Sequence, residues 1–226
     1  MINISKVSKN YITDHGRIDV YNDFSEVIND GEFIVLTGES GSGKTTLLKM
    51  LLKEEEPDLG SIYVDGENLK GIKRRNIPFY RRKIGVVFQD YRLIQELSVY
   101  DNLLTAILAT GGAATGAEKK IVDVLTMLGI DSLHKRLPKE MSGGQQQKVC
   151  LARAMINNPR YLLVDEPTGN LDPASSAEIL RLLSVIHDHG VTVIMATHDM
   201  SALSIKNKRQ ISLDKNITGG GKLYVS

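Results

Sequence analysis

Residues 38–45 have the types and the spacing that bind the phosphates of a nucleotide. They read Gly-Glu-Ser-Gly-Ser-Gly-Lys-Thr, which fits the pattern G-x-x-x-x-G-K-[ST] between an apolar run and a helical pattern. Glycines let successive backbone N–H groups curve around an anion, Lys44 reaches the outer phosphates, and the Thr45 hydroxyl can ligate Mg²⁺. The alternative is an ordinary glycine-rich turn. The predicted contacts are Gly38, Ser40, Gly41, Ser42, Gly43, Lys44, Thr45 and Thr46.

Two acidic residues end a second apolar run. The stretch Tyr-Leu-Leu-Val-Asp-Glu at 161–166 places Asp165 at the end of a predicted buried strand, where a carboxylate is costly unless it meets a cation or hydrogen-bond donors. Asp165 is therefore a candidate to hold Mg²⁺ together with Thr45. Glu166 is a candidate general base that polarises an attacking water. The alternative for Glu166 is a strand-end carboxylate that caps a loop.

A second anion-binding helix terminus is predicted at residues 141–145, which read Met-Ser-Gly-Gly-Gln. A helical pattern follows and extends to Ile156. A serine and two glycines at the start of a helix leave backbone N–H groups available to an anion. Taken alone, this segment would be an ordinary N-cap.

The elements that must position these residues follow from the hydrophobic pattern. Four continuous apolar runs are typical of strands buried on both faces of a parallel sheet. They lie at 33–36, 84–88, 161–164 and 191–195. Helical periodicity lies at 45–53, 118–128, 144–156 and 174–187, and short, partly alternating strands lie at 2–4, 19–28 and 61–64. Strand signals vanish between about Leu93 and Met141, which predicts a helical insertion. The predicted fold class is α/β.

Composition excludes several classes of protein. The 226 residues are 42% hydrophobic and 24% charged, which is typical of a globular chain. The single cysteine, Cys150, excludes an intramolecular disulfide and a thiol-rich metal site. A net charge of +1 argues against a general polyanion binder. Neither a signal peptide nor a bilayer-spanning run is recognisable, so membrane contact is expected only through a partner.

The signature segment (residues 142–145), about twenty residues before Asp165 and Glu166, resembles the signature of the ATP-binding-cassette (ABC) ATPases. Met141 replaces the leucine usual in that motif, an apolar-for-apolar change. The resemblance covers the chain up to about Asp214. It implies the P-loop NTPase fold of ABC ATPases: a mixed sheet core, an N-terminal antiparallel β subdomain and a helical signature subdomain. One domain, 1–226, is expected, with the helical subdomain at about 93–145.

The same resemblance implies roles for residues at matching positions. Gln89 matches the Q-loop glutamine that contacts Mg²⁺ or water, and His198 matches the switch histidine that contacts the γ phosphate. Tyr11 stands where an aromatic ring stacks on adenine, with a packing role as the alternative. Glu166, His198 and Gln89 are thus the expected catalytic residues, and Thr45, Gln89 and Asp165 the expected metal ligands. The remaining expected nucleotide contacts are Tyr11, Ser142, Gly143, Gly144, Gln145 and, in the D-loop, Asp172.

The family resemblance also implies cofactors and assembly. ABC ATPases bind ATP and Mg²⁺, and two copies pair head to tail. The phosphate loop (residues 38–45) of one copy and the signature segment of the other clamp the same ATP. An ATP-dependent homodimer is therefore expected, with half of each site on one chain.

Two further segments narrow the resemblance within the family. Residues 168–172 are similar to the group that contains FtsE, LolD and MacB, and residues 77–93 and 51–57 resemble the FtsE group. That resemblance implies a peripheral ATPase on the cytoplasmic face of the membrane, bound to the integral membrane protein FtsX, that controls peptidoglycan hydrolysis in cell division. The alternative is a LolD- or MacB-like ATPase that drives lipoprotein release or efflux.

Six cations lie between residues 73 and 83, namely Lys73, Arg74, Arg75, Arg81, Arg82 and Lys83. A solvated surface is one interpretation and contact with anionic lipid headgroups is another. No nucleic acid is expected as a partner, although binding through this cluster is the alternative that a salt titration tests. The glycine-rich segment 216–222 has no predicted function.

Overall fold

The strands form two sheets in the computed structural model, which describes residues 1–14 and 16–213. In chain order they are β1 (Ile2–Thr13), β2 (Gly16–Ile28), β3 (Phe33–Thr37), β4 (Leu59–Val64), β5 (Glu67–Asn68), β6 (Ile84–Val87), β7 (Tyr161–Asp165), β8 (Thr192–Ala196) and β9 (Lys208–Ser212). The first sheet is antiparallel, with the order β2-β1-β4-β5. The second is parallel, with the order β6-β7-β8-β3-β9.

The helices are α1 (Lys44–Leu51), α2 (Ile77–Arg81), α3 (Val99–Ala109), α4 (Ala117–Met127), α5 (Gly143–Met155) and α6 (Pro173–Asp188). Short 3₁₀ turns lie at Leu69–Gly71, Arg74–Asn76, Asp131–Leu133, Pro138–Glu140 and Met200–Ser204. The four helices expected from periodicity correspond to α1, α4, α5 and α6 within one or two residues at each end. α6 is the longest described helix, at 16 residues, and none of the described helices combines the length and hydrophobicity of a membrane span.

The parallel sheet is covered on both faces, which explains why its strands are continuously apolar. Phe33 and Val35 of β3 lie in a core with the buried faces of α3, α4, α5 and α6. The alternate residues Ile34 and Leu36 lie in a second core with α1 and with the inner face of the antiparallel sheet. Because successive side chains of a strand point to opposite faces, each core receives every second residue. The expected α/β class with an antiparallel N-terminal sheet is confirmed.

The parallel strands carry the candidate site residues to one edge of the sheet. β3 leads into the phosphate loop, β6 leads to Gln89, β7 ends at Asp165 and β8 is followed by His198. Because these strands are parallel, their carboxyl ends lie together at the edge where α/β proteins bind ligands.

β9 was not expected from the sequence. It pairs with β3 at the edge of the sheet, and among its five residues only Ile211 is buried. Its polar composition, Lys-Arg-Gln-Ile-Ser, gives neither an apolar run nor a clear alternation. The pairing with β3 therefore decides its conformation.

Between β6 and β7 the described chain forms only helices and 3₁₀ turns, as the loss of strand signals predicts. The division into a helical subdomain at about 93–145 within one 1–226 domain stays a prediction.

In the cationic stretch, residues 73–83, Lys83 pairs with Asp65 at 3.5 Å. The exposed Lys73, Arg74 and Arg75 have no ion-pair partner in the described part of the chain. The glycine-rich segment 216–222 lies outside the described residues.

Candidate active site

At two positions of the phosphate loop, φ is positive and a Cβ would meet a neighbouring side chain. Gly38 has φ +148°, and a Cβ there would lie 2.6 Å from Ser42 Oγ. Gly43 has φ +102°, and a Cβ there would lie 2.6 Å from Val20 Cγ1. Gly43 is also the N-cap of α1, and no side chain caps this helix. The first N–H groups of α1 are therefore free to bind an anion.

Lys44 and Ser42 provide the phosphate loop with donors for an anionic ligand. Lys44 is buried, and its Nζ donates to the carbonyl oxygens of Gly38 at 2.7 Å and Glu39 at 3.1 Å. Its ammonium is thus held above the loop rather than paired with a carboxylate. Ser42 Oγ is buried without a hydrogen-bond partner in the described structure. A buried hydroxyl without a partner is unfavourable, and a phosphate oxygen in the loop is a suitable acceptor for it.

Asp165 and Thr45 lie together as the sequence predicts. Thr45 Oγ1 donates to the Asp165 carboxylate, 3.0 Å from Oδ2 and 3.3 Å from Oδ1. Burial raises the pKa of Asp165, and the neighbouring Glu166 adds to the rise, while the Thr45 hydrogen bond opposes it. A partly buried carboxylate of this kind is stabilised by a cation. No cluster of three carboxylate, imidazole or thiol ligands occurs among residues 1–14 and 16–213.

Glu166 has an unusual backbone conformation, and its side chain contacts His198. Its φ is +47°, the left-handed region that non-glycine residues avoid. Its backbone N–H donates to Ala196 O at 2.9 Å, which fixes it beside the end of β8. Glu166 Oε2 lies 2.9 Å from His198 Nδ1 and accepts the His198 backbone N–H at 3.2 Å. The candidate base and the candidate switch histidine are therefore neighbours.

An open cleft of about 690 Å³ brings most of the predicted residues together. Its expected lining residues are Tyr11, Ser40, Gly41, Gly43, Lys44, Thr45, Thr46, Gln89, Glu166 and His198. Ile18 and Val20 of β2 also line it, and these two apolar residues were not expected from the sequence. Tyr11 Oη lies 3.5 Å from Thr46 Oγ1, and Lys9 Nζ lies 5.2 Å from the Tyr11 ring centroid. An aromatic and apolar wall thus faces the phosphate loop.

The signature segment does not line this cleft. Ser142 is exposed and is the N-cap of α5, where its Oγ accepts the Gln145 N–H at 3.3 Å and Gln145 Oε1 accepts the Ser142 N–H at 3.0 Å. This capping box satisfies two backbone donors and fixes the helix start. Gly144 is required by packing, because a Cβ there would lie 2.8 Å from Ser175 Oγ of α6. Nucleotide contact by residues 142–145 stays a prediction.

Asp172 likewise lies outside the cleft of its own chain. It is the N-cap of α6, where Oδ1 accepts the N–H groups of Ala174 and Ser175, both at 3.0 Å, and Oδ2 accepts Ser175 Oγ at 2.6 Å. The Ser175 hydrogen bonds lower the pKa of Asp172. Its expected contact with nucleotide stays a prediction.

Two contacts that organise the site were missed. Thr168 Oγ1 donates to Asp199 Oδ2 at 2.9 Å and joins the loop after β7 to the loop after β8. Arg153 of α5 donates to the carbonyl oxygens of Tyr91 and Arg92, just after Gln89. Both contacts join residues that are far apart in sequence, and periodicity carries no signal for such pairs.

The chain matches the ABC transporter family over residues 21–169. It is 39% identical over 217 residues to the cell division ATP-binding protein FtsE of Bacillus subtilis (strain 168), covering 96% of this chain and 94% of that protein. It is 39% identical over 221 residues to FtsE of Escherichia coli (strain K12), covering 98% of each.

A solved structure has the same fold over its whole length. The dimeric, post-hydrolysis state of the ATP-binding cassette MJ0796 bound to ADP and Pi superposes with a TM-score of 0.86 at 31% identity and covers 100% of both chains. The relatives confirm the resemblance to the FtsE group, and the MJ0796 structure confirms the expected fold. The chain belongs to the ABC transporter family and is an ATPase of that family.

Proposed function

We propose that two copies of this chain bind ATP head to tail and hydrolyse it to ADP and phosphate. The observation that carries the proposal is that the signature segment does not line the cleft that holds the phosphate loop. Lys44, Thr45 and Glu166 line the cleft, whereas the exposed Ser142 and the helix terminus that it caps lie outside it. A second copy in the opposite orientation supplies the missing helix terminus. The dimeric MJ0796 structure supports this arrangement.

Mg²⁺ is the metal that the chemistry of the site favours. Thr45 and Gln89 line the cleft, Thr45 Oγ1 donates to Asp165 Oδ2 at 3.0 Å, and the oxygens of all three side chains are hard ligands. Such an ion would supply positive charge that neutralises the phosphates of a bound nucleotide. Thr45 and Asp165 would hold it, and burial, the main cause of the raised pKa of Asp165, makes a bound cation favourable there.

The chain's own residues perform the remaining steps. Glu166 accepts a proton from the attacking water, Lys44 and the α1 terminus stabilise charge on the transferred phosphoryl group, and His198 contacts the γ phosphate. Tyr11 stacks on the adenine. Since His198 engages Glu166 in this structure, binding of the γ phosphate draws the histidine away from the base.

The chain's role is proposed to be that of FtsE: the ATPase subunit, on the cytoplasmic face of the membrane, of a complex with an integral membrane protein of the FtsX kind. The high coverage of the FtsE relatives supports this role. Closure and opening of the ATPase dimer are transmitted through the helical subdomain, at about 93–145, to the membrane protein. The membrane protein in turn controls peptidoglycan hydrolysis during division.

Depletion in the source cell tests the role. Filamentous or misshapen cells are expected, with rescue by the wild-type chain and none by Lys44→Ala. The ATPase rate of the purified chain is expected to change when the FtsX-like protein is co-purified with it. Normal cell shape with lost lipoprotein sorting or lost efflux would contradict the FtsE role and favour a LolD- or MacB-like one.

A further inference from the structure

The glutamine loop (residues 89–92) follows β6 and turns sharply through two left-handed residues. Tyr91 has φ +59° and Arg92 has φ +49°. Non-glycine residues, and bulky ones such as tyrosine in particular, seldom adopt this backbone conformation. The Arg92 N–H donates to Asp90 O at 2.6 Å, and the Arg92 guanidinium lies 3.7 Å from the Phe88 ring centroid. Two consecutive residues of this kind persist only where surrounding contacts hold them.

Helix α5 supplies those contacts to the loop backbone. The Arg153 guanidinium donates one N–H to Tyr91 O at 2.7 Å and another to Arg92 O. Cys150 Sγ also donates to Tyr91 O, at 3.2 Å. A planar fork matches two neighbouring carbonyl oxygens in a way that a lysine ammonium does not. Burial lowers the pKa of Arg153, and the two carbonyl oxygens satisfy N–H groups that burial removes from water.

The Tyr91 side chain forms a second attachment to the same helix. Its hydroxyl lies close to the first residue of α5, since a Cβ at Gly143 would be 3.1 Å from Tyr91 Oη. The same Cβ would lie 3.3 Å from Leu171 Cδ2, which leaves no free space there. The glutamine loop therefore contacts α5 both at the signature segment and, through Arg153, near the far end of the helix.

We propose that Arg153 is a positioning residue that makes the glutamine loop and α5 move as one body. Gln89 lines the cleft of its own chain, whereas the signature segment serves the ATP bound to the second copy. Arg153 thereby links the two ATP sites of the dimer, and occupancy at one site positions the signature segment at the other. The inference rests on the composite site of the proposed function, and it adds a physical connection between the two sites.

The test uses Arg153→Met and Arg153→Lys in the full chain, with Arg74→Met as the control. Arg74 is exposed and has no ion-pair partner among the described residues. Circular dichroism first establishes that each variant is folded at the assay temperature. Arg153→Met is expected to lower ATP hydrolysis at least about fivefold, the lower end of measured couplings between sites. It is also expected to abolish cooperativity, so that the Hill coefficient for ATP falls to one. Arg153→Lys is expected to retain part of the hydrolysis rate and part of the cooperativity. Arg74→Met is expected to have the rate and the Hill coefficient of the wild type.

A double-mutant cycle separates positioning from general destabilisation. If Arg153 acts through Gln89, adding Arg153→Met to Gln89→Ala produces little further loss of kcat, so the two effects do not multiply. Independent effects that multiply would overturn the inference, as would an Arg153→Met chain with wild-type rate and cooperativity. If Arg153→Met does not fold, Arg153→Lys decides: an unchanged Hill coefficient and kcat would contradict the proposal.

The failure of the proposed function gives a different result. A wild-type chain that hydrolyses ATP as a monomer at a rate independent of concentration would overturn the composite site itself. An active, cooperative wild-type dimer with an equally active and cooperative Arg153→Met variant would overturn the role of Arg153 alone.

Discussion

Glu166 Oε2 accepts the backbone N–H of His198 and lies 2.9 Å from its Nδ1. The two residues are 32 positions apart, and the parallel pairing of β7 with β8 brings them together. The side chain of Glu166 is 13% exposed and that of His198 is 66% exposed. The histidine is therefore the member of the pair that is free to swing toward a ligand.

Glu166→Gln is expected to bind ATP and to stop hydrolysis. Glutamine keeps an oxygen that accepts the His198 N–H, so the fold of the loop is retained, but the amide does not take a proton from water. The rate should fall by about 10²- to 10⁴-fold, the usual contribution of a general base. Phosphate release and size-exclusion chromatography with ATP measure both effects. An ATP-bound variant that elutes as a monomer would contradict the closed-dimer mechanism.

Gly43→Ala is expected to damage both the phosphate loop and stability, with Gly129→Ala as the matched control. Both glycines have positive φ, +102° and +67°, but a Cβ at Gly129 meets nothing within 4 Å. Gly129→Ala should cost about 1 kcal/mol in the free energy of unfolding, from backbone strain alone. Gly43→Ala should cost a further 1–3 kcal/mol, about the usual penalty for overpacking.

Urea unfolding measures these costs, and titration with a fluorescent ATP analogue measures binding. Only Gly43→Ala is expected to lose affinity. Equal stability and equal affinity in the two variants would contradict the expected clash between Val20 and a Cβ at position 43.

The sequence predicts those parts of the site whose residues lie together in one short stretch of the chain. Lys44 and Thr45 lie within one short pattern, and Asp165 directly follows the apolar run of its own strand. By contrast, the left-handed conformation of Tyr91 and its support by Arg153 depend on packing between elements that are about sixty residues apart. β9 was missed because its pairing with β3, rather than its polar composition, decides its conformation. The apolar wall formed by the exposed Ile18 and the half-buried Val20 was missed because an apolar residue in a strand carries no sequence signal of a ligand contact.

Asp165→Asn is expected to raise the melting temperature of the nucleotide-free protein at neutral pH. Burial raises the pKa of Asp165, so the folded chain binds this proton more tightly than the unfolded chain does. The free energy of unfolding therefore falls as pH rises from the ordinary carboxyl pKa through the raised one, and the carboxylate remains unfavourable above that window. Asparagine keeps an acceptor for the Thr45 hydroxyl without the charge.

Thermal melts from pH 3 to pH 8, with and without ATP and Mg²⁺, test this expectation. The difference between Asp165→Asn and the wild type should shrink below about pH 4, the ordinary range of this group, because the carboxyl is then protonated in both states. The variant should also lose the extra stabilisation that Mg²⁺ adds to ATP. A melting temperature below that of the wild type at pH 7 would contradict the proposed cost of the buried carboxylate.

Ser142→Arg is expected to block dimer closure without affecting the nucleotide cleft of the same chain, because Ser142 does not line that cleft. Ser98→Arg is the matched control, since Ser98 is the N-cap of α3 and accepts the Asp101 N–H as Ser142 accepts that of Gln145. Each change removes a cap and should cost about 0.5–2 kcal/mol, but only Ser142→Arg places a bulky cation at the second copy's ATP.

If each site needs two chains, as proposed, the specific activity of the wild type falls on dilution, and that of Ser142→Arg is near zero at every concentration. The affinity of monomeric chains for the ATP analogue should be the same in the wild type and in both variants. Weaker binding by monomeric Ser142→Arg, or a wild-type rate per chain that is constant on dilution, would show that the signature segment acts within its own chain.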